Sequence, residues 1–137
     1  LKTLSSEGPA FGLYTIESDD LFLLRLKSHE EIRPLFRPDL SPALRELDVS
    51  ILHTVLLNHF LGIGEKELKA QSHVRYVKDR EDAIHAVNDR DAQLAFLMNA
   101  TRVEQLREVS LRGEKMPQKS TYFYPKLLTG LVLNSLK

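Results

Sequence analysis

The sequence predicts an α+β fold: a mixed β-sheet with an N-terminal hairpin, one long buried helix and two shorter helices. Three patterns carry that prediction. Two strand-like runs flank the turn-forming residues Glu17-Ser18-Asp19-Asp20. Leu44, Leu47, Ile51 and Val55 recur at helical spacing. After residue 72 the apolar pattern reads β-α-β-α-β, the order of strands joined by helical crossovers. At 137 residues the chain suits one domain, because two would each approach the lower size limit for an adequate core.

Each element has a local cause. Residues 1–8 are polar and read as a lead-in. Phe11-Gly12-Leu13-Tyr14-Thr15-Ile16 and Leu21-Phe22-Leu23-Leu24-Arg25-Leu26 form the hairpin, expected at an edge of the sheet. Arg33-Pro34 and Arg37-Pro38 break regular structure up to Leu40. Ser41 is placed to cap a helix and Pro42 to occupy its first position. From Ala43 to about Leu61, Leu52, Leu56, Leu57 and Phe60 widen the apolar stripe, so the long helix is expected to be largely buried. Gly62 and Gly64 end it.

The alternating His73-Val74-Arg75-Tyr76-Val77 predicts a half-buried strand. Asp79 caps a short helix over Arg80 to Asn88, with Ala83, Ile84 and Val87 on one face. Gln93 to Met98 predicts an internal strand. Thr101 and Glu104 have capping-box spacing, opening a helix that closes at Gly113. Leu127-Leu128-Thr129-Gly130-Leu131-Val132-Leu133 predicts a terminal buried strand.

Composition limits the chemistry. With no cysteine the chain has no disulfide, thiolate metal site or cysteine nucleophile. Nineteen basic and 19 acidic residues cancel, leaving no global field to draw nucleic acid or a membrane surface. No apolar run approaches the roughly 18 residues of a membrane span, and no signal pattern opens the chain. A cytoplasmic protein with no nucleic-acid or membrane partner is expected. His29, His53, His59, His73 and His85 lack metal-ligand spacing, so no metal is expected. His53, on a mostly apolar helix, reads as a core histidine. There is no G-x-S-x-G turn, and Glu30-Glu31 and Glu81-Asp82 read as solvated acids. No catalytic residue or cofactor is identified.

One segment departs from the pattern. Gly113 to Lys126 holds Lys115, Lys119 and Lys126, three adjoining aromatics, two hydroxyl residues and two prolines. After Glu114 the chain has four lysines and no acid, whereas residues 1–114 hold 15 basic and 19 acidic residues. Charge is thus segregated within a neutral chain. Lysines beside Ser120, Thr121, Tyr122 and Tyr124 suit a phosphate or carboxylate. The plainer reading is a solvated loop whose aromatics cover the core. Gly113 to Ser120 also mimics a phosphate-binding P-loop, but Gln118 stands where that loop needs glycine, and a helix precedes it where a strand belongs.

The stretch Met116-Pro117-Gln118-Lys119-Ser120-Thr121-Tyr122-Phe123-Tyr124-Pro125-Lys126-Leu127-Leu128-Thr129-Gly130-Leu131 resembles the signature of the domain-of-unknown-function 1015 family. Phe96-Leu97-Met98-Asn99-Ala100-Thr101 with Gln105 is similar to that family's Phe-Leu-Met-Asn-Pro-Thr stretch, with Ala100 in place of proline. Asp48-Val49-x-x-Leu52-His53 resembles its start of the long helix. The resemblance implies the C-terminal part of a longer bacterial or archaeal cytosolic protein with no established activity. An association with serine biosynthesis makes a phosphorylated metabolite the implied ligand, with Lys119, Ser120, Thr121, Tyr122, Tyr124 and Lys126 as the implied site. Two expectations follow. In one, the loop 115–126 binds a small phosphorylated or carboxylated metabolite, within a phosphotransferase or phosphatase of serine metabolism. In the other, the chain is a structural or interaction module completing a larger protein, its loop packing on the missing N-terminal part.

Overall fold

The computed structural model describes residues 8–121. Strands β1 (Ala10–Thr15) and β2 (Ser18–Arg25) form the hairpin, and β3 (Leu94–Met98) pairs with the other side of β1. Both pairings are antiparallel, in the order β2-β1-β3. The fold is α+β, but the hairpin is no edge addition: β1 is the central strand of these three. It earns that place by being apolar on both faces. Phe11 is 3% exposed on one face and Ala10 0% on the other.

Helices cover both faces of β1. Tyr14 donates a 2.7 Å hydrogen bond to Asn88 Oδ1, fixing α5 (Arg80–Asn88) against one face. On the opposite face Phe11 packs with Phe36, Ile51, Leu52, Val55 and Leu57. A second cluster joins Ala43, Leu44, Leu47, Val49 and Val109, with Met98 and Met116 packed against it. At about 1.5–3 kcal/mol for each large apolar side chain buried, these clusters dominate the folding energy.

The long helix forms from Asp48 to Phe60, and its expected first turn is split off as a separate element. Ser41 Oγ caps α2 (Pro42–Arg45) at Leu44 N–H, 3.2 Å away. The chain then breaks at Glu46–Leu47, and Leu47, extended at ψ 133°, starts α3 (Asp48–Ile51). Leu47 stays 2% exposed, so the break keeps its burial and the apolar spacing does not reveal it. From Leu52 to Phe60 the coil is a π-helix. Its wider ladder turns less per residue than an α-helix. Leu52, Val55 and Leu57 are buried, but Phe60 swings clear of the core and is 70% exposed. Gly62, at φ 69°, ends the coil in a left-handed turn.

Two further helical segments appear: α1 (His29–Ile32), running into a 3-10 turn at Arg33–Leu35, and α4 (Glu65–Ala70). The predicted strand at residues 73–77 is absent. Val74 and Tyr76 do alternate inward between exposed neighbours, but no strand among the described residues pairs with them. Helix α6 (Val103–Leu111) starts one residue later than expected. The cap at its start is the Gln105 carboxamide oxygen, which accepts from Arg102 N–H at 2.9 Å, in place of the Thr101–Glu104 pair. Gly113, at φ 70°, closes it as expected, with Gly113 N–H on Ser110 O and Glu114 N–H on Val109 O. The terminal strand expected at 127–133 lies outside the described residues.

Candidate functional site

The loop leaving α6 is anchored before it reaches its lysines. Glu114 Oε1 accepts from Ser41 N–H at 3.2 Å, and Met116 packs on the Leu44–Val109 cluster. Pro117 to Ser120 then make a tight turn. Ser120 Oγ donates to Pro117 O at 2.6 Å, and Lys119 takes the left-handed conformation at φ 60°. A left-handed lysine is uncommon, and this turn is fastened from outside. Thr101 holds it: its Oγ1 donates to Ser120 O at 2.7 Å. The hydroxyl that the sequence offers as a cap for α6 is instead spent on fastening the loop.

This bond determines what lies together. Thr101 and Ser120 are in contact, so their chain neighbours Arg102, Lys119 and Thr121 share one locality. All three are exposed. On the other side of Thr101, Asn99 Nδ2 donates to Asp48 Oδ2 at 3.4 Å. Asp48 is half-buried at the start of α3, and burial raises its carboxyl above the ordinary value of 3.8. The Asn99 hydrogen bond and the Arg102 charge oppose that rise. The locality therefore combines exposed cations, a fixed turn and a carboxyl that holds its proton more tightly than usual.

Of the residues expected at the site, Lys119 and Thr121 face solvent, while the Ser120 proton is committed within the turn. Ser120 retains acceptor capacity and shapes the backbone. Tyr122, Tyr124 and Lys126 lie outside the described residues, as does any apolar patch around Tyr122–Tyr124. Asp48, Asn99 and Arg102 were not expected at the site from their residue types. The signal for two of them was their position within stretches similar to those of the family resemblance, and Arg102 had none.

The histidines divide by environment. His53 is half-buried on the π-helix, edge-on to Tyr76 with ring centroids 6.4 Å apart and the Tyr76 hydroxyl 3.5 Å from Nε2. Burial lowers the His53 pKa below 6.5 and raises that of Tyr76 above 10.0. His59 is exposed and lies edge-on to Phe60. Among the described residues no three histidine or acidic side chains gather as a metal cage would require, and no helix is long and apolar enough to cross a membrane. No family model matches the chain, and no curated protein or solved structure is significantly similar to it.

Proposed function

We propose that the chain binds a small phosphorylated or carboxylated metabolite where the Pro117–Ser120 turn meets the start of α6. The Thr101–Ser120 hydrogen bond carries this reading. It fastens the turn that carries Lys119 to the residue preceding Arg102, so two exposed cations stand on segments tied to each other. Arg102 supplies a planar cationic fork and Lys119 a compact point charge, the two usual ways of holding a phosphate or carboxylate. Support also comes from the resemblance to the domain-of-unknown-function 1015 family, because the three stretches that carry it meet here through Asp48, Asn99, Thr101 and Ser120. A phosphotransferase or phosphatase of serine metabolism is the reaction class consistent with that ligand.

A thermal-shift series with phosphate, phosphoserine, nucleotides and simple carboxylates tests the reading. A ligand at 100 times its Kd adds about 2.7 kcal/mol to stability. The expected result is a shift with a phosphorylated or carboxylated ligand that Lys119→Ala/Lys126→Ala abolishes. No shift with any of them would refute it. The exposed apolar run Leu21-Phe22-Leu23 favours a second reading, an interaction module completing a larger assembly.

A further inference from the structure

The centre of strand β2, Leu21 to Leu24, has the composition of an internal strand and the position of an edge. Leu21, Phe22 and Leu23 are 38%, 46% and 47% exposed, and they point to both faces of the sheet. Leu21 and Leu23 lie on the side of α5, in register with Tyr14 and Gly12; Phe22 lies on the side of the π-helix, in register with Leu13. Edge strands ordinarily carry a charge, a proline or a covering loop that prevents further pairing. In β2 the charges Asp19, Asp20 and Arg25 stand at the two ends, and among the described residues the centre from Leu21 to Leu24 has neither a charge, a proline nor a covering strand.

The ladder shows which backbone groups are free. Leu26 N–H bonds to Pro9 O, so in the alternating antiparallel pattern Leu24 and Phe22 also bond inward to β1. The N–H and C=O groups of Leu21, Leu23 and Arg25 therefore face outward, with no strand among the described residues on that side.

The charges around this edge are self-complementary. Glu17, Asp19 and Asp20 precede the apolar centre, and Arg25 and Lys27 follow it. Arg25 and Lys27 are exposed and have no ion-pair partner among the described residues. An identical strand laid antiparallel brings each acidic end against a basic end. With the two-fold axis at Phe22, Leu21 falls opposite Leu23, both outward-bonding and both on the α5 side. Phe22 meets its own copy at the closely spaced, non-hydrogen-bonded position. The register shift between Tyr14 and Thr15 confines the irregularity to the acidic end, leaving Leu21 to Arg25 regular.

We infer that β2 is a homodimerisation edge, where two copies of this chain join antiparallel into one continuous sheet of at least six strands about a two-fold axis at Phe22. The edge is independent of the Lys119 turn, so the dimer stands or falls apart from the binding reading.

Sedimentation equilibrium of the full chain from 1 to 200 µM is the test, with two charge-swapped variants. One carries Arg25→Glu/Lys27→Glu; the other carries Glu17→Lys/Asp19→Lys/Asp20→Lys. Wild type should sediment at twice 15.7 kDa. Each variant alone should raise the dimer Kd by at least about tenfold. Their mixture should restore a dimer, which also shows that both fold. A wild type that stays monomeric throughout, its edge left free or taken by another segment, would overturn the inference. So would a dimer indifferent to both swaps, or a mixture that fails to re-form it.

Discussion

Thr101 Oγ1 and the carbonyl of Ser120, 19 residues apart in the chain, meet at 2.7 Å. The bond ties the turn that carries Lys119 to the residue preceding Arg102. In Thr101→Val the Ser120 carbonyl, partly buried, loses its donor at nearly constant side-chain volume. The cost should be about 1–2 kcal/mol, and any shift caused by a phosphorylated ligand should shrink with it. Thr101→Ser should keep most of both. Urea unfolding of the three proteins, with and without phosphoserine, measures this.

The contact between Tyr14 and Asn88 makes an equivalent prediction for the fold. Tyr14→Phe removes the hydroxyl that binds α5 to the central strand and leaves the Asn88 oxygen without its donor. Stability should fall by about 1 kcal/mol. The urea midpoint should move while the slope stays fixed, because the surface exposed on unfolding is unchanged.

Asp48 should make folding less favourable as pH rises. Its native pKa lies above the ordinary 3.8, so between the two values the native state keeps a proton that the unfolded chain has released. Stability is therefore lost as pH climbs through that window. Asp48→Asn should remove this component, so that its stability advantage over wild type grows from pH 3.8 upward and then levels off. Parallel stability curves for the two proteins would show that Asp48 titrates normally.

His53 should act at a different pH and in the opposite sense. Its native pKa lies below 6.5, so under mild acid the unfolded chain takes a proton that the native state refuses. Stability from this source is complete above pH 6.5 and is lost as pH falls toward the native value. His53→Gln should flatten that slope in urea titrations at stepped pH, while leaving the Asp48 component in place.

Much of this fold was legible because local signals and burial agree. Phe11 to Leu26 makes the hairpin that its two strand-like runs and the turn residues between them call for, Ser41-Pro42 opens a helix, Arg80 to Asn88 is one, and Gly113 ends another. The failures share a cause: a pattern that two backbones satisfy equally. Leu47 is buried whether it continues a helix or begins a new one, so the spacing of Leu44, Leu47, Ile51 and Val55 could not reveal the break. Val74 and Tyr76 alternate inward as strand residues do, but alternation says nothing about whether a partner strand exists. The candidate site was half visible. Lys119 stood out by charge, whereas Asp48, Asn99 and Arg102 reach it only through tertiary contacts.

The most direct measurement is an amide NMR titration of the full chain with phosphoserine, at an ionic strength held constant with chloride. Saturable shifts concentrated at Arg102, Lys119, Ser120 and Thr121, and lost in Lys119→Ala, are the expected result. Shifts spread evenly over the exposed lysines, or none at all, would contradict it.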